Sequence, residues 1–265
     1  MRAYEIIDGE TNLSAGILLY FEKDRTWIIE LSEHLDERTA PLLLTKYVKE
    51  GIYTIPRDIS YLWVRERVIP SGRQNIQAIL SRHRLEKYDE MKILELSGGK
   101  CSQDSFFIRK TDEIPLYVIE RKKNNLRDCM VCESGSMLCF FLNGEIRKIS
   151  LPSLYGVEGL EKIMKNRDVM MSGKISAGGY SVTFNDSIDI PAHLLFRKGT
   201  RIELELSDLF SFVRRNVYDT REACELLKCS RQNLAYLVGQ GELEPVKKEV
   251  RGNLYLKGDV LKNTW

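Results

Sequence analysis

The chain has 265 residues, with 40 Lys and Arg against 38 Asp and Glu, and a formal net charge of +2. Hydrophobic residues make up 43% and charged residues 29%, which excludes a disordered chain. The near balance of charge excludes a globally basic nucleic-acid wrapper and an acidic tail. A chain of this length predicts two or three domains.

The apolar segments are too short for a membrane span. The longest are residues 15–21 and 137–142, whereas a membrane helix needs about 18 consecutive apolar residues or more. The N-terminus has no signal-peptide pattern, so we expect no membrane partner. Six irregularly spaced cysteines then favour reduced thiols and a cytoplasmic location.

Residues 1–125 have the pattern of a mixed α/β domain. Apolar and β-branched runs at 16–21 and 26–31 flank a charged turn and predict a β-hairpin. Helical spacing and a final apolar run predict the elements that follow: helices around residues 41–50, 62–68, 76–80 and 91–97, and a strand around 105–108.

Residues 126–205 have the pattern of a small domain of hairpins and short helices. Strand patterns at 137–142 and 145–151 flank Asn143-Gly144, a dipeptide that favours the type I′ turn. A helix is predicted at 157–164. A second pair of strands is predicted around Asn185-Asp186, followed by a helix that begins near Pro191.

This middle segment resembles a small bacterial domain family of unknown function with a strand-turn-strand, helix, strand-turn-strand plan. The resemblance rests on Phe141-Leu-Asn-Gly-Glu145 and on Val182-Thr-Phe-Asn-Asp-Ser-Ile-Asp-Ile190. It implies a fold and no chemistry.

Residues 216–265 carry the most informative pattern of the chain. Asp219-Thr220 offers an N-cap to a first helix, Lys228-Cys229 forms a short turn, and Ser230 caps a second helix. Two short helices joined by a tight turn are typical of the helix-turn-helix, whose second helix enters the major groove of DNA. Arg, Gln and Asn, which begin the second helix here, each form bidentate bonds to base edges.

The residues after this helix resemble excisionase-like and MerR-like winged helix-turn-helix domains. The matching segments are Gly239-Gln-Gly-Glu-Leu-Glu-Pro-Val-Lys-Lys248, a wing hairpin at 249–256 and a closing helix from Lys257. The resemblance implies that the second helix and the wing contact duplex DNA. Carried over by position, it names Thr220, Ser230, Arg231, Gln232, Asn233, Tyr236, Lys247, Lys248, Arg251 and Asn253 as DNA-binding residues.

The chain departs from that family next to Gly241. The family commonly has a basic residue where this chain has Gln240, and the acidic residues Glu242 and Glu244 follow. The positive excess of the chain nevertheless lies at this end, because residues 214–265 contain 10 Lys and Arg against 7 Asp and Glu, a local excess of +3. This excess is modest. We therefore expect the protein to be positioned on DNA by a few specific contacts and by dimerisation, and not by bulk charge.

Two weaker patterns lie in the N-terminal part. Arg73-Gln-Asn-Ile76 repeats Arg231-Gln-Asn-Leu234 almost letter for letter, which leaves a second helix-turn-helix at 57–83 open beside chance. Residues 63–104 faintly resemble the N-terminal subdomain of HipA-type toxin kinases. The chain has nothing that resembles the kinase portion, so no kinase activity is expected.

No residue set in the sequence predicts catalysis, a metal or a cofactor. Cys129-Met-Val-Cys132, with Cys139, supplies too few ligands for a structural zinc site, so we expect thiols of the core or surface. The three histidines are far apart, and no phosphate-binding loop or nucleophile motif is present.

The sequence thus predicts a multidomain α+β protein with a domain at 1–125, a small domain at 126–205 and a winged helix-turn-helix at 206–265. We expect a transcriptional regulator that binds duplex DNA as a homodimer, with residues 1–205 available to a protein partner. One alternative is a non-enzymatic adaptor, antitoxin-like or phage-related. The other is an enzyme with an unfamiliar N-terminal site, which a deep pocket with two or more carboxylates would favour.

Overall fold

The computed structural model describes residues 1–250 and 252–264. It is 37% helical and 26% strand, which confirms the α+β class. Contacts divide the chain into two compact units, Met1–Val118 and Ile119–Trp265. The second unit contains both the segment predicted as the middle domain and the segment predicted as the C-terminal domain, and the boundaries at 125/126 and 205/206 stay predictions.

The first unit contains one antiparallel sheet and helices that cover its face. Its elements in chain order are β1 (Arg2–Asp8), β2 (Ser14–Phe21), β3 (Thr26–Leu31), α1 (Thr45–Lys49), β4 (Thr54–Ile55), α2 (Arg57–Arg65), α3 (Ile76–Arg82), α4 (Glu90–Ser97) and β5 (Phe106–Thr111). The strand order is β4-β3-β2-β1-β5, and the predicted β2–β3 hairpin is confirmed. The next helix, α5 (Leu116–Lys122), contains the boundary between the units.

The core of the first unit lies between this sheet and its helices. Ile6 and Leu18 point from the sheet into a buried cluster that also contains Trp63 and Val64 of α2 and Leu94 of α4. All five side chains are fully buried. Burial of this apolar surface is the main term that stabilises the unit.

The hypothesis of a second helix-turn-helix at 57–83 is wrong. Helix α2 ends at Arg65 and α3 begins at Ile76, so residues 66–75 separate them. A helix-turn-helix needs a turn of about three or four residues between its helices. The helix predicted around residues 62–68 also lies earlier in the chain than expected, since α2 begins at Arg57 and ends before Val68.

The described residues of the second unit form three small sheets. Its elements are β6 (Leu126–Val131), β7 (Ser136–Phe141), β8 (Ile146–Ser150), α6 (Leu160–Lys165), α7 (Arg167–Met171), β9 (Lys174–Ile175), β10 (Ser181–Phe184), β11 (Ile188–Pro191), α8 (Ala192–Lys198), β12 (Thr200–Arg201), α9 (Leu206–Asn216), β13 (Val217–Asp219), α10 (Thr220–Leu227), α11 (Arg231–Gly239), β14 (Pro245–Val250), β15 (Gly252–Leu256) and α12 (Lys257–Lys262). The sheet orders are β12-β8-β7-β6, β11-β10-β9 and β13-β15-β14.

The predicted hairpin between β7 and β8 is confirmed, but its type I′ turn is wrong. Gly144 has a φ of 86°, whereas Asn143 lies outside the positive-φ region that this turn requires at both positions. The Gly144 N–H donates to the Phe141 carbonyl at 3.0 Å, so the loop is one residue longer. The Asn143 Oδ1 accepts the Glu145 N–H at 2.9 Å and supports this conformation.

A glycine also shortens the helix predicted at 157–164. The helix predicted at 157–164 begins at Leu160, because Gly159 before it has a φ of 79°.

The predicted strand pair β10–β11 is confirmed, and its turn contains Asn185 and Asp186 with φ of 48° and 54°. Asn and Asp are the non-glycine residues that tolerate this region best.

One hydrophobic cluster connects the first sheet of this unit to the C-terminal elements. Leu261 of α12 belongs to the buried cluster of β6–β8. Leu226 of α10 packs against that cluster and also against a second cluster that contains Ala223, Leu234 and Tyr255. The sheet of β6–β8 is therefore the platform on which α10–α12 rest.

Candidate nucleic-acid interface

Helix α10 begins and ends where its local sequence directs. The Asp219 carboxylate accepts the N–H groups of Arg221 and Glu222 at 2.7 and 2.8 Å, and the Glu222 carboxylate accepts the Asp219 N–H at 2.9 Å. This reciprocal arrangement is the capping box. The helix ends at Leu227, since Lys228 takes the left-handed conformation with a φ of 51°.

Helix α11 begins directly after this turn. The Ser230 Oγ accepts the Asn233 N–H at 3.2 Å and caps the helix, as the sequence predicts. Leu234 is buried against Ala223 of α10, and Leu237 packs at the edge of the same cluster. One side of α11 is thereby fixed, and its opposite side faces solvent.

The solvent-facing side of α11 carries four of the predicted DNA-binding residues. Arg231, Gln232 and Asn233 are exposed in the first turn, and Tyr236, one turn later, is 61% exposed. Their side chains form no hydrogen bond or ion pair with any described residue. The first turn contains no acidic residue that would compete for Arg231. These donors and acceptors are therefore available to a ligand.

A two-stranded hairpin supplies the predicted basic residues. Strands β14 and β15 are antiparallel, with Lys247 opposite Leu254. Lys247 and Lys248 are exposed on β14. Arg251, which the resemblance also names as a DNA-binding residue of the wing region, lies outside the described residues.

Thr220 and Asn253 form hydrogen bonds within the chain. The Thr220 Oγ1 accepts the Asn253 N–H at 3.2 Å and lies 3.4 Å from the Asn253 carbonyl oxygen, to which it donates. The Asn253 side-chain amide donates to the Tyr255 hydroxyl at 3.3 Å. Both residues are half-buried and fix the hairpin to the start of α10, while the α11 residues point into solvent.

A buried carboxylate joins the platform to the C-terminal elements. Asp128 of β6 is 2% exposed and accepts three N–H groups, from the side chain of Asn216 at 2.8 Å and from the backbones of Cys129 at 2.7 Å and Gly258 at 2.9 Å. Residue 258 must be glycine, because a Cβ there would lie 2.3 Å from the Arg127 carbonyl oxygen. Burial raises the pKa of Asp128 to about 6, although the three donors oppose this shift.

The partners of Asp128 could not be predicted from the sequence around it. Asn216 is 88 residues and Gly258 is 130 residues from Asp128 along the chain. An aspartate within the strand run of β6 was the available signal, since a charged residue in a buried strand requires partners.

Two cysteines of the platform, Cys129 and Cys139, are free thiols. Cys129 and Cys139 face each other across β6 and β7, and both are buried. Burial raises the pKa of Cys129 to about 12 and that of Cys139 well above its ordinary value. Among residues 1–250 and 252–264, no group of three or more His, Cys, Asp or Glu side chains is placed to hold a metal ion.

The first unit contains an open cleft of about 410 Å³. The carboxylates of Asp24, Asp58 and Glu90 line it together with Arg25 and Arg57. Asp24 and Asp58 are exposed to solvent. The cleft has the carboxylates that the enzyme alternative requires, but two of the three lie in water and not in a deep pocket.

Comparison finds no matching family model, no matching curated protein and no matching solved structure. In the described part of the chain, no helix is both long enough and apolar enough to cross a membrane.

Proposed function

We propose that the chain binds duplex DNA sequence-specifically through residues 217–264, which act as a winged helix-turn-helix of the excisionase-like and MerR-like kind. The observation that carries this proposal is the exposed first turn of α11. It presents Arg231, Gln232 and Asn233 without internal partners, in the same unit as the hairpin that carries the exposed Lys247 and Lys248. The fold around it is fixed by capping and core contacts that leave this surface free.

In this proposal α11 enters the major groove with its N-terminal turn. Arg231 forms a bidentate pair with guanine, and Gln232 or Asn233 pairs with adenine. The free N–H groups at the start of α11 favour a nearby phosphate, as does the helix dipole. Lys247 and Lys248 bind the phosphate backbone and set the register of the helix on the duplex.

The proposed biological role is transcriptional regulation, with the protein acting as a homodimer. The local charge excess of +3 is modest, and Glu242 and Glu244 are exposed just after α11. One copy is therefore expected to bind weakly, and two half-sites would supply the specificity that one lacks. Residues 1–205 would contact a protein partner or sense a ligand.

Selection of bound sequences from a random duplex pool tests this proposal. The full chain is incubated with the pool at 50 mM and at 200 mM salt, and the bound DNA is sequenced. We expect one enriched motif that persists at the higher salt, because base contacts are less sensitive to salt than phosphate contacts. Binding without enrichment, or enrichment that vanishes at 200 mM salt, would contradict sequence-specific recognition.

The adaptor alternative predicts a different result for the same full chain. A chain that serves only as an adaptor retains no DNA at physiological salt and is recovered with a protein partner in a fixed ratio. Such a result would replace the proposal, since winged domains also serve as protein-interaction modules.

A further inference from the structure

Helix α9 leads from the platform into the proposed DNA-binding elements, and one of its faces is held by the platform. The Phe212 ring packs on the Phe140 ring with centroids 4.5 Å apart. Arg215 donates to the Val131 carbonyl oxygen, and Asn216 donates to the Cys129 carbonyl oxygen at 2.7 Å. Residues 212, 215 and 216 share one side of a helix.

An adjacent face of α9 is apolar and exposed. Leu209, Phe210 and Val213, which we call the α9 stripe, are 41%, 55% and 44% exposed. In the sequence, Leu206 extends their spacing to i, i+3, i+4, i+7, which is the same when the helix is read in either direction. A stripe of this spacing normally packs against another apolar surface.

We propose that the α9 stripe pairs with the α9 stripe of a second copy of this chain, with the two helices antiparallel. A twofold interface brings the same patch onto itself, so the sequence spacing of positions 206, 209, 210 and 213, which reads alike in both directions, is self-complementary. The charges at its two ends favour this direction. Glu203 and Glu205 are exposed before the stripe, and Arg214 is exposed after it.

Antiparallel pairing places the acidic start of one α9 beside the basic end of the other. Parallel pairing would instead bring like charges together, which is unfavourable. Neither Glu205 nor Arg214 forms an ion pair with a described residue. The side chain of Glu205 makes no capping hydrogen bond, so a substitution at this position removes no cap from the start of α9.

This inference deepens the proposed function, because two copies joined at α9 would present two α11 helices to one operator. The stripe alone is smaller than the roughly 800 Å² per partner of a standard stable interface. We therefore expect reversible dimerisation in the micromolar range without DNA. Self-association is measured without DNA, so its failure is distinguishable from a failure of DNA binding.

Analytical ultracentrifugation of the full chain tests the stripe directly. Wild-type protein is expected to change from monomer to dimer as its concentration rises through the micromolar range. Phe210→Glu should weaken the dimer by about tenfold or more, since it places a charge at the centre of the interface. Met164→Glu, a matched control at a 47% exposed residue of α6, should leave the equilibrium unchanged. Circular dichroism shows whether each variant keeps its helix content.

Charge reversal tests the antiparallel direction. Arg214→Glu alone and the pair Glu203→Arg with Glu205→Arg should each weaken the dimer, and the three changes together should restore it. A wild-type chain that stays monomeric would overturn the proposal, and so would a dimer that Phe210→Glu leaves intact. Single effects without restoration in the combined variant would overturn the antiparallel arrangement.

Discussion

The letters Arg-Gln-Asn followed by an aliphatic residue occur twice in the chain, and the two copies have different local structures. At 73–76 the three polar residues form a turn before α3, which begins only at Ile76 without a side-chain cap. At 231–234 the same three residues are the first turn of α11, which Ser230 caps. The polar side chains of both copies are exposed.

The residue immediately before the arginine accounts for this difference. Ser230 directly precedes Arg231 and accepts the Asn233 N–H, whereas Gly72 separates Ser71 from Arg73. Capping makes the second copy part of a helix, so its side chains keep fixed directions beside the free N–H groups of the helix start. Composition and exposure are equal, and only the second copy has the capped helix start that the proposed contact with base edges requires.

The largest expected effect contrasts the two copies in DNA binding. Arg231→Ala with Gln232→Ala should cost about 2–6 kcal/mol of discrimination, because each bidentate base contact contributes about 1–3 kcal/mol. Arg73→Ala with Gln74→Ala, the matched control, should leave discrimination unchanged. Fluorescence anisotropy with the selected duplex and a scrambled duplex measures both. Equal losses in the two double variants would remove the functional distinction between the copies.

Asp128 joins the platform to α9 and α12 of the same unit, and pH tests that connection. The pKa of Asp128 is about 6 in the folded chain against 3.8 for a free carboxyl, so the folded state binds the proton more tightly. The stabilisation from this proton is complete below about pH 4 and is lost as the pH rises through 6. A shift of about two units corresponds to about 3 kcal/mol.

Urea unfolding at pH 4, 5, 6 and 7, with hydrogen exchange read in peptides of β6 and α12, measures this loss. Asp128→Asn should abolish the loss of stability that accompanies deprotonation of Asp128 in the second unit and leave the first unit unchanged. Asn keeps one acceptor oxygen but turns a donor toward one of the three N–H groups, so the variant loses one of the three hydrogen bonds. A loss of stability with rising pH that persists in Asp128→Asn would assign the titration to another group.

We expect the hairpin of β14 and β15 to contribute equally to the binding of the selected duplex and of the scrambled duplex. Lys247→Ala with Lys248→Ala should weaken selected and scrambled duplexes by the same factor and reduce the salt slope by about 1.8, since each phosphate contact contributes about 0.9. Lys87→Ala with Lys92→Ala, an exposed pair in the first unit, should change neither quantity. Binding isotherms between 50 and 300 mM salt measure the slope. A loss of affinity for the selected duplex alone would mean that the hairpin contributes to sequence recognition.

The sequence predicted those parts of the fold that local interactions determine. The caps at Asp219 and Ser230 and the hairpin β2–β3 involve residues close together in the chain, so residue type and spacing were enough. The contacts of Asp128 were not predictable, because its partners come from distant segments that only the folded chain brings together. The stripe on α9 was readable from its spacing, but whether a partner covers such a face is a property of packing and not of the helix.

The smallest effect isolates the cap itself. Ser230→Ala removes the acceptor for the Asn233 N–H and should destabilise the start of α11 by about 1 kcal/mol, the usual contribution of an N-cap hydroxyl. Ser71→Ala should cost almost nothing, because Ser71 is exposed in a turn and does not cap α3. Hydrogen exchange of α11 and α3 amides in the two variants measures the difference. If both variants lost the same protection, the cap would not be what makes the second copy a helix, and the preference for α11 as the reading element would have to come from its packing on α10 alone.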